Sequence, residues 1–169
     1  MSSKRLFFAL WPDDRQRDRL REVINSVART VEGRIIDRRD WHITLEYIGD
    51  FPEDQVPALL ERAGEIQVEP FHLVFDRLEF WAGPRVACLV APTVPVEMKS
   101  LIAALHSLLQ DVGVIPSDRT YRPHITVARN ARTFATERLA QRATTDWSSF
   151  QLVESVSRPG GVSYRPLKQ

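Results

Sequence analysis

One cysteine in 169 residues, Cys88, excludes an intrachain disulfide and any zinc site built from cysteines. It sits in the apolar run Val86-Ala87-Cys88-Leu89-Val90, which predicts a buried, unreactive thiol. The chain also lacks any apolar run long enough to span a bilayer. Its first apolar stretch ends at Trp11-Pro12, too short and badly flanked for a secretory leader, so the cytoplasm is the expected location. Charge of one sign is missing too. The 23 Lys and Arg against 22 Asp and Glu leave a net charge of +1, which excludes an indiscriminate polyanion binder but not a local basic patch. Lysine occurs only at positions 4, 99 and 168, so nearly all positive charge is arginine, whose planar fork matches phosphate oxygens. An arginine-rich genome gives the same skew. No His-x-x-x-His pair and no Asp-rich loop offers a metal signature, so neither metal nor cofactor is expected.

What is present is a globular composition, 43% hydrophobic and 27% charged. Leu6 to Leu10 has the pattern of a buried strand. Asp13 and Asp14 offer a helix N-cap, and Leu20, Val23, Ile24 and Val27 follow on one helical face. After an Arg/Asp-rich connector, His42 to Ile48 is strand-like. Pro52 opens a second helix, with Pro57 awkward inside it. Strands are expected over 70–81 and 85–91, then a long helix with Met98, Leu101, Ile102, Leu105, Leu108, Leu109 and Val112 as its stripe. His124 to Ala128 is strand-like again, and the tail gives strands over 150–156 and 162–164 around a Pro159-Gly160-Gly161 turn.

The two halves repeat. Each runs apolar strand, amphipathic helix, loop, then a strand opening His-Ile-Thr, at nearly equal spacing. This predicts an α+β fold of two pseudo-symmetric lobes, each an antiparallel-rich sheet with helices on its outer face and the site in the cleft between them. Residues 1–169 then form a single bilobal domain. Alternation along a strand puts His42 with Thr44, and His124 with Thr126, on one face, their Cα atoms about 6–7 Å apart. Two imidazoles facing each other across a ligand suit in-line displacement at phosphorus, one neutral as base and one protonated as acid, with the threonine hydroxyls on the non-bridging oxygens. The spacing does not say which histidine does which.

The residues that surround these motifs resemble a known family. Arg5-Leu6-Phe7-Phe8-Ala9-Leu10, His42-Ile43-Thr44-Leu45 with Ile48-Gly49, Tyr121 to Arg129, and Gly160 to Leu167 are similar to the two-histidine phosphoesterase superfamily. Within it the likeness is to the RNA 2′,3′-cyclic phosphodiesterases, once called 2′-5′ RNA ligases. The resemblance implies an RNA bearing a 2′,3′-cyclic phosphate end, or a small cyclic nucleotide, as substrate and a 2′-phosphate as product. It implies His42 as proton donor, His124 as proton acceptor, and Arg129 as a phosphate or ribose contact. Trp41, where relatives commonly carry a polar residue, is expected to pack.

Arg34, Arg38, Arg39, Arg119, Arg122, Arg129 and Arg132 cluster around the motifs and suggest a basic rim for an RNA backbone, with Arg122 and Arg129 the best candidates for substrate binding. Phe7 and Phe8 belong to the core unless one faces the cleft. His72 and His106 have no Thr or carboxylate at a ligand-like spacing and are assigned to solvated surface. Three functions are compatible with these residues: cyclic phosphodiesterase, a ligase joining RNA through a 2′-5′ bond, and a non-catalytic RNA-binding module. A monomer is expected and no membrane contact.

Overall fold

The computed structural model describes residues 2–118 and 120–167. Nine strands and three α-helices, among the described residues, run in the order β1 (Ser3–Leu10), α1 (Asp14–Ala28), β2 (Arg34–Ile35), β3 (Ile43–Pro52), α2 (Val56–Gly64), β4 (Phe71–Trp81), β5 (Val86–Val90), α3 (Val96–Asp111), β6 (His124–Arg129), β7 (Glu137–Trp147), β8 (Gln151–Arg158) and β9 (Gly161–Leu167). They form two antiparallel sheets, β3-β1-β8-β9 and β2-β6-β5-β4-β7, so the fold is α+β.

The unbroken apolar runs have a simple cause: β1 and β5 are interior strands with both faces covered. Leu6, Phe8 and Leu10 enter the main core, while Phe7 and Ala9 pack with Val153 on the other side. Likewise Ala87 and Leu89 face the main core, and Val86, Cys88 and Val90 the opposite side. A strand solvated on one face would alternate instead. The helices close the main core. Asp13 caps α1 by accepting from the Gln16 backbone N–H at 2.8 Å while Gln16 Oε1 accepts from the Asp13 N–H at 2.7 Å, a capping box. Leu20, Val23 and Ile24 are its buried stripe. Pro57 is no obstacle, because α2 starts at Val56 after a 3-10 turn and the proline lies in its first turn, where no backbone N–H is required.

The equivalence of the halves survives as β1–β3 matching β5–β6, but the lobes are not consecutive stretches of chain. β8 and β9 return from the C-terminal end to lie beside β1, and β2 leaves the first half to pair with β6. β7, which no pattern in the sequence announces, completes the second sheet against β4, with α1 lying along it. No helix among the described residues is long and apolar enough to cross a membrane.

Candidate active site

Both His-x-Thr motifs open a strand where the two sheets meet, β3 lying close to β6. Each histidine is held by the same device. His42 Nδ1 lies 2.7 Å from the Asp40 carbonyl, and His124 Nδ1 lies 2.8 Å from the Arg122 carbonyl, in each case two residues back. A carbonyl can only accept, so Nδ1 carries the hydrogen and donates it, leaving Nε2 as the nitrogen not engaged by that bond on both rings. Aromatic side chains fix the ring planes. Trp11 stacks on His42 at 5.4 Å and 16°, Tyr164 meets it edge-on at 5.0 Å, and Phe7 lies 5.1 Å away. Trp81 stands 4.2 Å from His124.

The motifs interleave, each histidine sharing a hollow with the threonine of the other strand. His42 shares a hollow of about 370 Å³ with Thr126 and Arg129, from the other strand. His124 shares one of about 460 Å³ with Thr44 and Tyr47. Tyr121, just before the second motif, donates from its hydroxyl to the Thr44 carbonyl at 2.8 Å and ties the two strands together.

A β-bulge follows each threonine. Ala9 pairs with Thr44 but Phe8 with Glu46, which leaves Leu45 extra; Cys88 pairs with Thr126 but Ala87 with Ala128, which leaves Val127 extra. Strict alternation would send the third residue after each threonine into the core. The bulge returns it to the cleft face, so Tyr47 pairs with Phe7 and Arg129 with Val86. Arg129 Nη2 then donates to the Tyr164 hydroxyl at 3.2 Å, beside His42. The first bulge has a second effect. It turns Glu46 inward opposite Phe8, where His106 of α3 donates from Nε2 to its buried carboxylate. His106 is therefore not the solvated residue its sequence context suggested. Burial holds the Glu46 pKa above the usual carboxylate range, and the His106 contact opposes that rise.

Arg122 also departs from expectation. Its guanidinium is bidentate to Glu79 at 2.9 and 2.7 Å and lies 5.5 Å over Trp81, whose indole N–H donates to the same carboxylate at 3.1 Å. The arginine braces the tryptophan behind His124, and its fork is already occupied. Arg38, Arg39 and Arg132 are likewise paired, with Asp18, Asp37 and Glu32. Arg119 lies outside the described residues. His72 is exposed, and Trp41 and Phe8 are buried in the core, as expected. Cys88 is buried 3.9 Å from the Thr126 hydroxyl, and burial pushes its thiol up to about 12, so it stays protonated.

A match to the LigT-like phosphoesterase family covers residues 10–88. The Escherichia coli protein named RNA 2′,3′-cyclic phosphodiesterase is 30% identical over 141 residues, 81% of this chain and 78% of that protein. The chain belongs to the LigT-like phosphoesterase family. An Archaeoglobus fulgidus protein of the same name is 23% identical over 97% of this chain and 98% of its own length. The crystal structure of E. coli LigT complexed with 3′-AMP superposes with a TM-score of 0.86 at 27% identity, covering 99% of this chain and 97% of that one.

In this LigT-like phosphoesterase both imidazoles are harder to protonate than free histidine. Burial is the main cause for each. His42 falls to about 4; the Asp40 carbonyl resists the fall, while the charges of Arg129 and His124 add to it. This has a consequence for stability. Well above pH 6.5 His42 is neutral folded or unfolded. As the pH drops towards 4 the unfolded chain takes up a proton that the folded one refuses, so stability is lost across that window. The loss reaches about 3 kcal/mol for His42, at about 1.4 kcal/mol per pKa unit, and His124 acts in the same direction. Melting temperature measured from pH 7 to 4 should therefore fall more steeply for the wild type than for His42→Asn. Parallel curves would mean that the imidazole is not held neutral by burial.

Proposed function

We propose that the protein hydrolyses 2′,3′-cyclic phosphate ends of RNA to 2′-phosphates, with His42 and His124 dividing the proton transfers. The observation that carries this reading is the pair of imidazoles, each pinned through Nδ1 to a carbonyl, with hydroxyls of Thr44 and Thr126 and the Arg129 guanidinium around them. The names of the E. coli and A. fulgidus relatives supply the substrate.

His124 Nε2 takes a proton from water as the water oxygen bonds to phosphorus. The P–O3′ bond breaks on the opposite side, and His42 Nε2–H delivers its proton to the departing O3′. The threonine hydroxyls and Arg129 donate to the non-bridging oxygens, whose charge is redistributed in the transition state. The turnover leaves His42 neutral and His124 protonated, and exchange with solvent resets both. The assignment of donor and acceptor rests on the family likeness. The lowered pKa values fit a site whose charge is completed by substrate: a phosphodiester anion set between the rings favours their protonated forms and so brings the acid into its working state on binding.

Turnover of nucleoside and oligonucleotide 2′,3′-cyclic phosphates, with the product position assigned by phosphorus NMR, tests the reading. A 3′-phosphate product, or no turnover, would overturn it. A parallel reaction with a second 5′-OH strand would reveal ligation. Because the scheme routes every proton through side chains, the rate should be the same with and without EDTA; activity lost to the chelator and restored by a divalent ion would refute it.

A further inference from the structure

We propose that Arg34 forms a second anion subsite beside the reacting phosphate, one that takes the phosphate linking the terminal nucleotide of the RNA to the nucleotide before it. This rests on the proposed function. It begins from an arrangement that strand pairing normally avoids. β2 is only two residues long, yet it sets Arg34 directly opposite Arg129 on β6. Cross-strand partners share a face and lie about 4.5–5.5 Å apart between Cα atoms, and like charges so placed repel. Gly33 makes the approach possible, since a Cβ there would come within 2.9 Å of the Arg129 carbonyl oxygen.

Around the motifs, Arg38, Arg39, Arg122 and Arg132 each have a carboxylate partner. Arg34 and Arg129 have none among the described residues. Arg34 Nη1 donates only to the neutral Gly160 carbonyl at 3.4 Å, in the β8–β9 turn, and Arg129 to the Tyr164 hydroxyl. Two acidic residues do line the same hollow. Asp37 is engaged by Arg39 through both its backbone and side chain, and Asp40 presents its carbonyl to His42. The Asp40 carboxylate forms no ion pair with either arginine among the described residues, so two adjacent guanidiniums without a carboxylate partner share one hollow with His42 and Thr126. With Arg129 on the reacting phosphate, Arg34 is the cation one step further from the histidines, where the strand must continue. An RNA end offers a second phosphodiester there and a nucleoside cyclic phosphate does not.

Product-side ligands separate the two subsites without requiring turnover. Calorimetric titration with adenosine 2′-phosphate and adenosine 2′,5′-bisphosphate reads the gain from a phosphate on the 5′ side. In the wild type the bisphosphate should bind about tenfold more tightly, the lower end of what a charged hydrogen bond contributes. Arg34→Gln should bring that ratio close to one, and Arg34→Lys should keep part of it. A ratio near one in the wild type, or a wild-type ratio retained in Arg34→Gln, would overturn the proposal, and so would equal losses for both ligands. Because binding is the readout, a wild type that fails to hydrolyse cyclic phosphates would count against the proposed function alone.

Discussion

Alanine at His42 or at His124 should each lower kcat/KM on a 2′,3′-cyclic phosphate by roughly two to four orders of magnitude, the usual worth of a positioned proton-transfer group. The two variants are expected to part company on a phosphodiester carrying p-nitrophenolate. That leaving group departs with little protonation, so His42→Ala should regain most of its rate. His124→Ala should stay impaired, because the attacking water still lacks its base. The reverse pattern would exchange the two roles, and loss of less than tenfold in either variant would remove that histidine from the chemistry. Alanine at Thr44 or Thr126 deletes one hydroxyl donor to a phosphate that other groups still hold. It should cost less, about 1 kcal/mol or several-fold in rate.

Arg129→Gln is the other large effect expected. A charge-assisted hydrogen bond contributes roughly 1.5–3 kcal/mol, so its loss should lower kcat/KM by about ten- to a hundredfold. The same substitution carries a signature that a merely structural role would lack. Arg129 is one of the charges that depress His42, so its removal should raise the His42 pKa from about 4. The imidazole proton shifts followed by NMR against pH would show this. Arg122→Gln is the natural comparison. Its charge lies beside His124, and Glu79 already holds its fork. A larger rate loss there than at Arg129 would overturn the division of labour between the two arginines.

The parts of the molecule that are legible in the sequence are those whose signal is local. The β1 and β5 runs, the stripe of α3 and the repeated His-Ile-Thr each sit within a few residues and declare themselves by composition and spacing. β7 does not. Its first six residues, Glu137-Arg138-Leu139-Ala140-Gln141-Arg142, are largely exposed and rich in helix formers, and only Ala143, Thr145 and Trp147 alternate inward. The supports of the histidines are hidden for a different reason. Trp11, Trp81 and Tyr164 meet the rings through packing between elements distant in sequence. The bulges after Thr44 and Thr126 insert a residue that no periodicity announces. The family likeness points to Arg129, but alternation alone would bury it, and the same omission leaves Glu46 and His106 without each other.

β1 lies between β3 and β8, so a nascent chain emerging from the ribosome has one edge of its first strand bare until β8 has been made. Tyr164, on β9, touches both the His42 ring and the Arg129 guanidinium. Contacts between such remote segments pay their loop-closure entropy before they return any stabilisation, which slows folding. Both His-x-Thr motifs are thus translated well before the tyrosine that links their surroundings, and catalytic competence should arrive late in synthesis. A chain arrested between Arg129 and Gly161 would contain every histidine and threonine of the site with β9 still missing. Its exposed β1 edge would offer a pairing partner to any other unfinished chain nearby.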